Sequence, residues 1–155
     1  IAETETYRES AGYRPGEKAV IAGTALGKIG MAVCYAIRFP LLANALAIAG
    51  AETLLYSAAF SPITGAAHWH SLLRARAIET GCYVIAAAQT GTHPTSGPKA
   101  RTTYGHSLVV DPWGQVILDA GTDAGVYIFD VKMKNVAKAR QKVPALLNAQ
   151  PFKAP

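Results

Sequence analysis

Lys28-Ile-Gly-Met-Ala-Val-Cys34-Tyr-Ala-Ile-Arg-Phe-Pro40 carries a strand, a sharp turn and the start of a helix in one short stretch. Residues 29–34 are apolar at consecutive positions, Met31-Ala32-Val33 above all, where a strand with one wet face would alternate. Such a run implies burial on both faces, the habit of parallel sheets. Residues 35–40 then turn, and Pro40, with its fixed φ and missing N–H, suits the first turn of a helix. A strand leading through a turn into a helix, with strands alone later in the chain, argues for an α/β or α+β layer fold. Cys34 stands where the strand ends, the edge at which open α/β sheets usually bind ligands. Backbone N–H groups of such a turn can also face a developing oxyanion. A free cysteine is equally a small buried hydrophobe, and position alone leaves both readings open.

The neighbouring segments extend the pattern. Residues 20–22 read as a strand joined to 29–34 by a turn at 23–27, and a helix over 41–49 is closed by Gly50. A short strand follows at 54–58. Trp69, Leu72, Leu73 and Ala77 recur at helical spacing, so 66–80 reads as an amphipathic helix ended by Gly81. Residues 83–88 form the next strand, with Cys82 at its start as a buried structural thiol. The stretch 90–102 is rich in Gly, Pro, Thr and Ser, and 89–101 is expected to form a mobile loop at a pocket rim. Strands at 106–111 and 115–119 flank Pro112-Trp113-Gly114, a hairpin signal with Gly114 where positive φ is needed. A last strand at 126–131 precedes a basic helix. No repeat and no long linker interrupts the chain, which reads as one domain. One sheet and one helix layer would not cover strands apolar on both faces, so a multi-layer sandwich or a missing partner surface is expected.

Composition narrows the functional classes. Of 155 residues, 50% are hydrophobic and 16% charged, which excludes a disordered chain. The longest apolar stretch, 41–51, contains Asn44 and falls short of the ~20 residues that span a bilayer, so no membrane role is read. The net charge is +5, yet the one dense basic cluster, Lys132, Lys134, Lys138, Arg140 and Lys142, is interrupted by Val131, Met133, Val136 and Ala139. That is a solvated helix face, and no nucleic-acid partner is inferred. Cys34 and Cys82 allow at most one disulfide, and their dissimilar contexts point to a reducing, cytoplasmic compartment. His68 and His70 lie two apart on a helix and share no face, and neither they nor His93 and His106 fit a metal pattern, so no metal is expected. Residues 23–28 outline G-x-x-x-G-K, but a phosphate loop needs one more residue and a Ser or Thr where Ile29 follows. The chain opens at Ile1 with no basic-then-apolar leader, which reads as a processed end or an interior cut.

The stretch 28–40 resembles the nucleophile motif of the nitrilase (carbon-nitrogen hydrolase) superfamily. Thr64-Gly-Ala-Ala-His-Trp69, Leu73-Arg-Ala-Arg-Ala-Ile-Glu79, Tyr104-Gly-His-Ser107 and Asp111-Pro-Trp-Gly114 resemble further family segments in order. Ala86-Ala-Ala-Gln-Thr-Gly-Thr-His93 is most similar to the branch holding deaminated-glutathione amidases, with ω-amidases beside them. The resemblance implies part of a four-layer α-β-β-α sandwich. Residues 1–155 would be the C-terminal part of a single domain, partnered by an upstream half and by further copies in a homo-oligomer, dimer or larger. It implies Cys34 as nucleophile, the Tyr35 backbone N–H as oxyanion donor, and no cofactor. Tyr7-Arg8-Glu9-Ser10 matches the family segment that bears a supporting carboxylate, which falls on Glu9. Arg38, Thr64, Gln89 and His93 are the candidate contacts to a small-molecule amide substrate. The family's base Glu and oxyanion Lys match no residue of this chain, Lys28 included, and Ala36 stands where the family commonly has an acidic residue. The expected function is hydrolysis of a small ω-amide or deaminated-glutathione-like amide through a thioester, releasing ammonia. The alternative is a catalytically silent nitrilase-like interaction module.

Overall fold

A computed structural model describes residues 12–95 and 100–153. Its framework is a six-stranded sheet built around three parallel strands, the first two followed by the helices that their sequences announce. Strand β1 (Val20–Thr24) pairs antiparallel with β2 (Gly27–Val33), and β2, β3 (Thr53–Ala58) and β4 (Tyr83–Ala88) run parallel. The sheet is completed by β7 (Leu108–Val110) and β8 (Val116–Asp119), in the order β1-β2-β3-β4-β7-β8. Helix α1 (Pro40–Ile48) connects β2 to β3, and α2 (Pro62–Thr80) connects β3 to β4. Strands β5 (Thr90–His93) and β6 (Arg101–Tyr104) form a separate two-stranded ribbon. Helices α3 (Lys134–Lys142) and α4 (Ala145–Asn148) close the described chain.

Register fixes what lies on each face. Gly30, Leu54, Val84 and Val110 are paired in one row, and Ala32, Tyr56, Ala86 and Leu108 in the next. Both rows pack under α1 and α2 in one core with Leu46, Ala47, Trp69, Leu73 and Ala77. The opposite face carries the row Val20, Met31, Leu55, Ile85 and Val109. Val109 is buried, but Val20 and Met31 are exposed and Leu55 and Ile85 half-buried. The expected burial on both faces is therefore met on the helix side alone, because the described residues place no layer over the other side. The parallel core, the helices and the α/β class are as the sequence reads.

Local corrections have local causes. Residues 126–131 form no strand: Val126 and Ile128 are 93% and 92% exposed and pair with nothing in a ladder. Branched side chains favour a strand only against a partner surface. The expected loop at 89–101 instead contains the β5–β6 ribbon, in which Thr90 pairs with Tyr104 and His93 with Arg101. Its alternating threonines suit a ladder, and Pro94 falls just beyond the last paired residue. Helix α2 begins at Pro62, a turn earlier than expected, with proline in the first turn where its missing N–H costs nothing. In the β7–β8 hairpin, Asp111 Oδ1 accepts from the N–H groups of Trp113 and Gln115, both at 2.9 Å, and Gly114 takes φ +87° as expected.

Candidate active site

The strand β2 ends at Val33, and Cys34 opens a 3-10 turn, Cys34–Arg38, with φ +42°. Left-handed backbone is costly for any residue with a Cβ, so it persists only where surroundings hold it. The restraint is visible. Ile37 is fully buried beneath the turn, and Arg76 of α2, 5% exposed, donates its Nε–H to the Ile37 carbonyl at 2.8 Å. Arg76 is in turn paired with Glu79. At the end of the turn the Phe39 N–H bonds the Ala36 carbonyl at 3.0 Å and Pro40 starts α1. The half-buried Cys34 thiol is thus set at the carboxyl end of a parallel strand. Arg38 lies with its guanidinium 5.4 Å from the Tyr35 ring centroid and 5.2 Å from that of Phe60, and 3.2 Å from His68 Nδ1.

The other parallel strands end nearby in the topology. After β3, the Phe60 carbonyl accepts from Tyr104 N–H, and the Ala58 carbonyl from Gln89 N–H, both at 2.9 Å. The β5–β6 ribbon therefore springs from the same sheet edge as Cys34. Cys82 is a contrast: fully buried, its Sγ lies 3.3 Å from the Ala51 carbonyl and 3.1 Å from Arg140 Nη2. Burial pushes its thiol above the ordinary value, outweighing the opposing help from Thr80 and Arg140. A broad groove of about 680 Å³, lined by Gly23, Lys28, Gly50, Glu52 and Arg140 among others, lies at the opposite, amino end of the parallel strands. It touches none of the described candidate residues.

A family model described as carbon-nitrogen hydrolase matches residues 1–141. The chain belongs to the carbon-nitrogen hydrolase family. It is similar to the human protein named deaminated glutathione amidase, 50% identical over 128 residues, which are 83% of this chain and 38% of that protein. It is also similar in structure to Saccharomyces cerevisiae Nit3, a member of branch 10 of the nitrilase superfamily, with TM-score 0.81, 37% identity, and coverage of 92% of this chain and 50% of that one. A variant amidase from Nesterenkonia sp. AN1, with the acetamide moiety of fluoroacetamide added covalently at its active-site cysteine, matches with TM-score 0.71 and 27% identity over 90% of this chain and 52% of that one. The chain thus spans about half the length, or less, of these relatives. Its fold is that of the nitrilase superfamily.

Within this carbon-nitrogen hydrolase chain, Cys34, Tyr35 and Arg38 share one turn, and Thr64, half-buried, lies near the start of α2 at the same end of the sheet. Gln89 follows β4 directly with its side chain exposed. His93 is engaged within the ribbon, its Nε2 2.8 Å from Thr103 Oγ1. Glu9 lies outside the described residues. Two features escaped the sequence reading. Arg76 sits on a helix face with ordinary amphipathic spacing, and only the fold brings it under the Cys34 turn. His70 is matched not with its neighbour His68 but with His106 and Asp119, from elements far apart in the chain.

Proposed function

We propose that the protein containing this chain is an amidase that hydrolyses the C–N bond of a small carboxamide, of the ω-amide or deaminated-glutathione type, through a thioester on Cys34. The observation that carries the reading is the Cys34 turn: a left-handed cysteine at the carboxyl end of a parallel strand, held by a buried Arg76, in a carbon-nitrogen hydrolase chain. A carboxylate base takes the thiol proton and the thiolate attacks the carbonyl carbon. The Tyr35 N–H and a cationic side chain stabilise the oxyanion. The C–N bond breaks as the base returns the proton to nitrogen, ammonia leaves, and water then cleaves the thioester to the carboxylic acid.

The base Glu and the Lys have no matching residue here, so they come from an upstream half of the same domain. Glu9 is the supporting carboxylate, and Arg38, Thr64, Gln89 and His93 meet the substrate. The upstream half covers the open face of the sheet as the other two layers of the sandwich. The whole protein acts in the cytoplasm as a homo-oligomer and needs no cofactor for this chemistry. The relatives named as amidases support catalysis over the silent module.

The test uses the full-length protein, with ammonia release measured from a set of ω-amides and from a deaminated-glutathione amide. The expected result is turnover by the wild type and none by Cys34→Ala, with an acyl adduct at Cys34 seen by intact-mass and peptide mapping at short times. Turnover that survives Cys34→Ala overturns the nucleophile, and a wild type inert toward every amide favours the silent module.

A further inference from the structure

His70, His106 and Asp119 bring one ligand atom each to within 4.8 Å of one another, the one such group among the described residues. They come from α2, from the bend between β6 and β7, and from the end of β8. Asp119 Oδ2 lies 2.9 Å from His70 Nε2 and 3.1 Å from His106 Nδ1, so one carboxylate oxygen adjoins both ring nitrogens. The other oxygen is 2.9 Å from His106 Nδ1 and accepts the Gly121 N–H at 2.9 Å, which fixes the carboxylate's orientation. Burial alone would raise the Asp119 carboxyl, but the hydrogen bonds from His70, Gly121 and His106 outweigh it and hold it below its ordinary value.

The cluster is also preorganised. His106 holds φ +55°, its N–H bonds the Gly121 carbonyl at 2.6 Å, and its own carbonyl accepts the indole N–H of the buried Trp69 at 2.8 Å. Its ring stacks on Tyr104 with centroids 4.5 Å apart. The backbone and one ring are therefore fixed before any ligand arrives. The side chains are 25% to 35% exposed, so an ion reaches the site from solvent.

We propose that His70 Nε2, His106 Nδ1 and Asp119 Oδ2 form a binding site for a zinc-class divalent transition ion, separate from the Cys34 turn. Two imidazoles and one carboxylate are a donor set that suits such ions, with Zn²⁺ the ordinary occupant and magnesium or calcium disfavoured. Ligand atoms around zinc sit at about 2.0–2.2 Å, which makes the edges of a tetrahedron roughly 3.3 Å long; the N···O separations need a small outward shift, and the ring nitrogens, which lie within 4.8 Å of one another, close toward each other as the His70 side chain turns in. Water takes the fourth position. The ion replaces the His–Asp hydrogen bonds and clips α2 to the end of β8, so its effect is on stability and not on amide chemistry.

The experiment uses the full-length protein, stripped with chelator and titrated with Zn²⁺ against a chromophoric competitor, alongside its thermal midpoint with and without Zn²⁺. The expected result is one ion per chain, a midpoint that rises with Zn²⁺, and affinity at least about tenfold weaker in both Asp119→Asn and His70→Gln. Cobalt(II) should give the visible bands of a tetrahedral site in the wild type and lose them in both variants. Cys34→Ser should leave stoichiometry unchanged, which separates this site from the nucleophile. Zinc uptake equal in wild type and both variants, or no uptake at all, overturns the proposal and leaves the cluster as a hydrogen-bonded triad.

Discussion

The two cysteines show how far a side chain's surroundings decide its chemistry. Cys34 is half-buried on a turn, whereas Cys82 is sealed between Ala51, Thr80 and Arg140. Brief iodoacetamide treatment of the native full-length protein should therefore label Cys34 and spare Cys82, as read by peptide mapping; the reverse order would refute the assignment. The buried pair of acids adds a pH signature. Burial raises Cys82 above its ordinary 9.0, and raises Tyr56 from 10.0 to about 12, so the folded state holds both protons more tightly than the unfolded chain. Their contribution to stability is complete below those ordinary values and is lost as pH rises beyond them. Arg76 belongs to the same scale. Arg76→Leu removes the bond to the Ile37 carbonyl and strands Glu79, which should cost about 2 kcal/mol of stability. It should also lower kcat more than it changes KM, and Arg76→Lys should restore part of both. Cys34 was legible as a strand-end residue; the role of Arg76 was not, since a buried arginine and a solvated one look alike until the helix is docked.

Elements were legible where the sequence supplied both a pattern and a stop. The parallel strands, α1 and α2 have apolar runs bounded by Pro40, Gly50 and Gly81, and the structure places them within a few residues of the reading. The β5–β6 ribbon was not legible, because Gly91 and Pro94 signal a break while the threonines that pair across it signal a ladder, and only a partner decides between them. Residues 126–131 failed the opposite way, with the composition of a strand and no edge to join. Packing between elements was invisible altogether. Gly65 on α2 is an example: a Cβ there would lie 2.3 Å from the Tyr104 ring, so helix and ribbon touch only because the side chain is absent. Gly65→Ala should push the ribbon off the helix and cost about 2 kcal/mol. A thermal midpoint unchanged from wild type would show that the contact yields freely.

At the scale of the whole molecule, the described residues give the sheet one finished face and one open one. Under α1 and α2 the sheet is a closed core; on the other side, Met31 is 48% and Val33 66% exposed, beside Leu55 and Ile85. Residues 1–155 expressed alone should therefore self-associate, through an apolar surface that soluble monomers rarely show. Light scattering checks this, and a clean monomer would contradict it. On the proposed sandwich, in which an upstream half covers this face, Met31→Asp in the full-length protein should abolish soluble expression, since an unpaired carboxylate would be buried between sheets. Tolerance of that change would mean that the face stays wet in the complete protein.

The left-handed backbone at Cys34 has an evolutionary side. A thiol stands at φ +42°, where glycine would rest without strain. Cys34→Gly should consequently be inert toward amides and yet melt higher than the wild type, by an amount corresponding to about 1 kcal/mol. Drift that rewards robustness alone would erase this cysteine first. Under the proposed thioester chemistry, a variant population selected for thermal stability alone should lose this cysteine before its core begins to change.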